Sequence, residues 1–241
     1  MIRFKNILYC VACVALLFLA GCGEYFAQEW PEGFDPENQP EVTGLGLDTG
    51  RPFVLYVGDE FKLNPQVGDK LLDQLDKNDQ EIAISHFFAS TKCGDSIVCV
   101  RQTDIKAIGV GNDTIRFSNF SGNWNTKLRV SVLPGWNNMP GWRYETIVYA
   151  NVTVDDETPD SGMMFAAFCK DELRGRGVTR TVKGITYTVF RIGSNTNKKE
   201  TIHFMGYDPA NSCYITFEET ITFDGATHGT LSDLFELKGK K

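Results

Sequence analysis

From about residue 50 onward, hydrophobic and polar positions alternate in short runs, broken by turn residues roughly every ten positions. A period of two is the pattern of half-buried strands. In the first half the runs fall at residues 52–57, 60–63, 82–87, 97–100, 105–108, 114–117 and 127–133, with a Gly58-Asp59 turn after the first. One stretch breaks the rhythm. Leu71, Leu72 and Leu75 within residues 70–77 predict a short helix inserted between strands. Residues 135–142 mix Gly, Asn, Pro and Trp without a period and are expected to be a linker. The cleanest alternation follows, where Ile147, Tyr149, Asn151 and Thr153 occupy one face and Val148, Ala150, Val152 and Val154 the other. Runs at 163–169, 179–183, 186–192, 201–205, 213–217 and 234–237 continue the series. The expected fold is all-β: two consecutive β-sandwich domains, at 50–135 and 142–241.

The first fifty residues behave differently. Residues 7–20 are an apolar run too short to span a bilayer comfortably, preceded by the cations Arg3 and Lys5. Residues 22–49 carry Pro, Gly and carboxylates without a hydrophobic period, as expected of a tether. Where the apolar run ends, Leu19-Ala20-Gly21-Cys22 resembles the lipobox of bacterial lipoproteins. The resemblance implies that residues 1–21 are a signal peptide cut before Cys22. It also implies that Cys22 carries the lipid (palmitate among its acyl chains) and holds the protein to an outer membrane. Glu24 and Glu29 are too sparse to form the dense acidic signal that sends some Bacteroidetes lipoproteins to the cell surface, so a periplasmic and a surface orientation both stay open.

Two further stretches resemble known modules. Val57-Gly58-Asp59-Glu60-Phe61-Lys62-Leu63, the segment Ile105-Lys106-Ala107-Ile108-Gly109-Val110-Gly111-Asn112-Asp113-Thr114-Ile115 and the closing Leu128-Arg129-Val130-Ser131-Val132-Leu133-Pro134 are similar to the bacterial Ig-like group 2 domain. That likeness implies an Ig-like spacer or adhesion module. The family's usual Trp-Ser-Ser segment is replaced here by Ser85-His86-Phe87-Phe88-Ala89-Ser90. The second half resembles a repeat of Bacteroidetes surface and secreted proteins. It does so through the strand from Tyr144 to Val152, through Ala167-Phe168-Cys169-Lys170-Asp171-Glu172-Leu173-Arg174-Gly175, and through Glu200-Thr201-Ile202-His203-Phe204-Met205-Gly206-Tyr207-Asp208. It implies a second β-sandwich in a cell-envelope setting.

Charge and cysteine content narrow the partners. The chain has a formal net charge of −7, and without residues 1–21 it keeps 22 cations against 31 carboxylates. An acidic chain with no dense Lys/Arg cluster is a poor match for nucleic acid. Apart from residues 1–21 and Cys22, four cysteines remain: Cys93, Cys99, Cys169 and Cys213. An even count in an oxidising compartment suggests disulfides, with Cys93–Cys99 and Cys169–Cys213 favoured among three pairings. Free buried thiols and metal binding are the competing readings.

Catalytic signatures are absent from the sequence. His86, His203 and His228 are not spaced with Cys, Asp or Glu as a metal set, and no GxSxG, HExxH or phosphate-cradling loop occurs. The carboxylates Asp155, Asp156, Glu157 and Asp160 match no calcium loop and are better read as a solvated turn. Trp124, Trp136, Trp142 and Tyr144 are the binding candidates, because flat rings beside Asn and Asp suit the C–H faces and hydroxyls of sugars. Packing of Trp136 and Trp142 between the two domains is the competing account. Asp95-Ser96-Ile97 and Asp113-Thr114-Ile115 resemble the Bacteroidetes O-glycosylation acceptor, which makes Ser96 and Thr114 candidate attachment sites.

The sequence therefore predicts a lipid-anchored envelope protein without enzymatic activity, cofactor or metal. It is expected to act in adhesion or in binding an extracellular ligand, a glycan or a surface protein. The alternative is an accessory structural subunit of an outer-membrane assembly such as a polysaccharide-uptake system.

Overall fold

A computed structural model describes residues 39–137 and 139–241; the expected signal peptide (1–21), the expected lipid-attachment residue Cys22 and the part of the expected tether up to residue 38 lie outside these, as does Asn138. Residues 40–241 form one compact unit.

In the first half, β1 (Val42–Gly44), β2 (Phe53–Tyr56), β3 (Glu60–Lys62), β4 (Gln66–Val67) and β5 (Lys70–Leu71) precede α1 (Lys77–Ser85). They are followed by β6 (Phe87–Thr91), β7 (Val98–Arg101), β8 (Asp104–Ala107), β9 (Gly111–Asn119) and β10 (Asn125–Leu133). Three small sheets result, ordered β1-β4-β5, β2-β10-β9-β6 and β3-β8-β7. Strand β10 is central, parallel to β2 from Val130↔Phe53 to Leu133↔Tyr56 and antiparallel to β9. Alternation on β9 sends Ile115 and Phe117 into a core with Leu55, Leu63, Phe87, Ile105, Leu128 and Val130. The Phe87 and Phe117 rings stack there with centroids 5.3 Å apart.

Three sequence expectations change in this half. Residues 42–45 belong to the folded body and not to the tether, because β1 pairs with β4 and buries Val42 and Leu45 completely or nearly so. The helix lies at Lys77–Ser85, one element later than the leucines suggest, and the leucines themselves fall in and after strand β5 and a 3-10 turn at Leu72–Gln74. The helix displaces most of the strand expected at 82–87. Its start is set by Asp76, whose side chain accepts from the Asp79 backbone N–H at 2.9 Å.

The second half contains β11 (Tyr144–Val154), β12 (Met164–Cys169), β13 (Glu172–Val182), β14 (Ile185–Ser194), β15 (Glu200–Asp208), β16 (Cys213–Phe223), β17 (Thr227–His228) and β18 (Phe235–Lys240). The all-β class holds throughout the described residues. Here the strands form one ladder, β14-β13-β12-β15-β16-β18-β11, and a further pairing of β11 with β14 closes it on itself. Short β17 and then β18 share one edge of β11, both parallel to it. Of the two faces expected on β11, the one carrying Val148, Ala150, Val152 and Val154 is buried, and joins Phe165, Phe190, Ile192, Ile202, Phe204, Ile215, Phe223 and Leu237 in the core.

The expected disulfides are not present: Cys93, Cys99, Cys169 and Cys213 are all free thiols. The ladder explains the second pair. Phe168 faces His203 on β15, whereas Cys213 faces Asp208 at the other end of that strand. Cys169 and Cys213 are thus separated by about 20 Å along the strands, whereas a bridge needs Cα atoms within about 7 Å. Cys93 instead sits on a turn whose backbone is tied to Asp113: Oδ1 accepts from the N–H groups of Lys92 and Cys93 at 3.1 and 3.2 Å.

Candidate functional site

On β12, β15 and β16 the inner positions Phe165, Ala167, Ile202, Phe204 and Ile215 fill the core. Alternation therefore places Met164, Ala166 and Phe168, with His203, Met205 and Tyr207, on the outer face, and the Tyr207↔Tyr214 pairing adds Tyr214. This outer face is mostly apolar, unlike an ordinary solvated one. The segment between β10 and β11 uses part of it. Trp136, 7% exposed, packs on Ala166 and Tyr207, which are fully buried, with Val110 and Leu133 of the first half against the same cluster. Asn112 donates to the Ser212 hydroxyl at 2.8 Å, tying β9 to the β15–β16 turn.

The rest of the face is open. A groove of about 390 Å³ is lined by Trp136, Phe168, Met205 and Tyr214, with Lys170, Asp171 and His203 as its main polar groups. Trp136 meets Phe168 edge-on at 5.9 Å and Tyr214 at 6.3 Å. Tyr214 is 47% exposed and Met205 37%. Desolvation by burial raises the pKa of both Tyr207 and Tyr214, so their phenols stay neutral across the physiological range. Lys170 holds φ +54° in the tight β12–β13 turn, which brings it and Asp171 to the end of the groove. The arrangement offers ring faces for apolar C–H groups and, beside them, a cation, a carboxylate and an imidazole for hydroxyls.

Of the four aromatic candidates, the structure brings only Trp136 to this groove. Trp124 packs against the first core, with its ring 6.3 Å from Phe87. Its backbone N–H donates to Asn119 Oδ1 at 3.2 Å, folding the β9–β10 connection back on itself. Trp142 lies against Gly193, with the Arg174 guanidinium 5.2 Å from its ring centroid. Arg174 is itself buried between Glu172 and Glu200, at 3.0 and 3.3 Å. Tyr144 begins β11 and packs on the second core, with Arg143 over its ring at 5.5 Å. Both therefore serve packing.

Ser96 is exposed in a 3-10 turn, its hydroxyl donating to the Cys93 carbonyl at 2.8 Å, and Thr114 is half-buried on β9. Among the histidines, His86 caps α1, His203 lines the groove and His228 lies 3.2 Å from Asp224. Among the described residues no group of three or more His, Cys, Asp or Glu is placed to hold a metal ion. No described helix is long and apolar enough to cross a membrane. Phe168, Met205 and Tyr214 were missed as site residues. The signal for them was a large apolar side chain at the outward position of a strand whose inward positions were already apolar.

No family model matches the chain, and no curated protein matches it. Similar solved structures include domains 5–6 of the S-layer protein SbsC, at 12% identity over 79% of this chain and 100% of that one, with a TM-score of 0.25. The human desmocollin-1 ectodomain is similar at 13% identity over 82% of this chain but 38% of that one, again with a TM-score of 0.25. Human protocadherin-24 EC1-2 reaches a TM-score of 0.27 at 11% identity, over 79% of this chain and 98% of that one. At TM-scores this low the likenesses carry no argument about the site.

Proposed function

We propose that this chain is a lipid-anchored, non-catalytic cell-envelope protein that binds an extracellular glycan in the Trp136 groove. The observation that carries the reading is the aromatic surface itself: exposed Tyr214 and half-buried Phe168 converge on the largely buried Trp136, beside Lys170, Asp171 and His203. Its volume falls at the small end of ligand sites, roughly 300–1,000 Å³, which suits a few sugar rings. Stacking on rings supplies affinity, and the three polar groups select the hydroxyl pattern. Membrane anchoring rests on Leu19-Ala20-Gly21-Cys22.

A glycan array probed with the full chain tests the groove. Tyr214→Ala is expected to weaken the best glycan at least tenfold, while Trp124→Ala leaves it unchanged. Wild-type protein that binds no glycan but copurifies with membrane proteins would replace this reading with the accessory-subunit one. Palmitate labelling of cells tests the anchor, with incorporation expected in wild type and lost in Cys22→Ser.

A further inference from the structure

Between Glu172 and Glu200 the chain contains no carboxylate, although Arg174, Arg176, Arg180, Lys183, Arg191, Lys198 and Lys199 all fall there, in a protein of net charge −7. Arg174 is neutralised by Glu172 and Glu200, and Arg191 by Glu145 at 2.9 Å. Arg176, Arg180 and Lys183 are exposed, and among the described residues none of them forms an ion pair.

Arg180 and Lys183 belong to an arm, and Arg176 sits at its base, still paired with Ala166 of β12. Strand β12 leaves β13 at Gly177 and β11 leaves β14 at Thr188, so Arg180↔Tyr187, Thr181↔Thr186 and Val182↔Ile185 pair only with each other. The turn at the tip holds φ +52° at Lys183 and +81° at Gly184, the positive pair that a tight hairpin requires. The arm has two unlike faces. On one, cross-strand hydroxyls meet, Thr179 with Thr188 at 3.0 Å and Thr181 with Thr186 at 2.9 Å. Alternation gives the other face Arg176, Val178, Arg180 and Val182, opposite Ile185 and Tyr187. Val178, Val182 and Ile185 are 38%, 43% and 45% exposed.

We propose that this arm is a contact for an anionic lipid surface. Arg176, Arg180 and Lys183 meet the lipid phosphates, and Val182 and Ile185 enter the boundary between head groups and acyl chains. Charge complementarity selects an anionic partner, and the exposed aliphatics select lipid over a soluble polyanion. A polyanion in water gives Val182 and Ile185 no apolar surroundings, whereas the interface rewards both kinds of side chain together. The contact is separate from the Trp136 groove and does not rest on it.

Flotation of the full chain with two vesicle types tests it: pure phosphatidylcholine, and phosphatidylcholine with roughly one-third phosphatidylglycerol. The N-terminal segment contributes equally in every variant, so the arm is read from differences between variants in the anionic-to-neutral ratio. Wild type is expected to favour anionic vesicles about tenfold at low salt, with the preference fading at about 1 M salt. The Arg180→Glu/Lys183→Glu pair is expected to remove the arm's share of that preference, and Val182→Asp/Ile185→Asp to weaken anionic binding severalfold. All four positions are exposed, and an unchanged thermal melt confirms the fold of each variant. An equal ratio in wild type and in the charge-reversal pair overturns the proposal. So does capture by dextran sulfate together with vesicle binding that Val182→Asp/Ile185→Asp leaves intact, which would make the arm a polyanion site.

Discussion

The Trp142 indole lies so close to Gly193 that a Cβ built on that glycine would overlap its Cδ1 and Cγ atoms. Arg174 closes the arrangement, its guanidinium over the same indole and its Nη1 donating to the Gly193 carbonyl at 3.2 Å. The chain leading into β11 is thus held on β14 by contact between ring and backbone.

Gly193→Ala should therefore destabilise the protein by about 1–3 kcal/mol, the usual cost of forcing extra volume into a filled contact. Urea denaturation measures it. A midpoint within error of wild type would mean that the indole moves aside freely.

Asp208 is buried, with Lys241 Nζ 2.7 Å from its Oδ2 and Asn211 Nδ2 donating to the same oxygen at 2.8 Å. The bond from Lys241, then that from Asn211, holds its pKa at about 2 against an ordinary value of 3.8. A depressed carboxylate stabilises the fold fully above its unfolded pKa and loses that contribution as pH falls from about 4 towards 2. Asp208→Asn should lower stability at neutral pH by roughly 1–3 kcal/mol and flatten the acid limb of a melting-temperature profile. An acid limb identical to wild type would contradict the pairing.

Trp124 packs on Phe87 and so belongs to the first core. Trp124→Ala is expected to cost about 1–3 kcal/mol, less than a fully buried tryptophan would. Retained thermal stability with lost ligand binding would restore it to the binding surface.

The four thiols give a chemical test. Denatured without reductant, the purified protein should take up alkylating reagent at Cys93, Cys99, Cys169 and Cys213, and mass spectrometry counts the additions. In the native state buried Cys169 should react last. Desolvation, and then the charge of Asp113, raises the pKa of Cys93, so its alkylation rate should rise with pH later than that of a free thiol. Asp113→Asn should shift that profile towards lower pH.

The sequence made the strands visible where one face was buried. Val148, Ala150, Val152 and Val154 alternate with polar partners, and β11 lies where that pattern puts it. Helix α1 was harder to read, because Ile82 and Ile84 two apart satisfy a strand as readily as one turn of helix. Only Asp76, as a cap, argued for the helix. Closure of the second-half ladder depends on which edges meet, and no local pattern records that β11 pairs with both β14 and β18. Residue type alone pointed to Trp136, Trp124, Trp142 and Tyr144 alike; the structure packs all four, and only Trp136 also borders the groove. Phe168, Met205 and Tyr214 stayed hidden because core and surface apolar residues look alike until the inward positions are known. The arm carries no dense cation cluster, and its mark in the sequence is the carboxylate-free run at 173–199.

The parallel pairing of β18 with β11 joins Ala150 to Phe235 across most of the second half. Such distant partners make folding slow, since the chain between them must be gathered before the last rungs form. Until residues 235–240 arrive, β11 and β16 both present bare edges, open to pairing with other chains. Strand β18 is thus the latch of the second half: its pairing covers both edges at once, and without it neither is sealed.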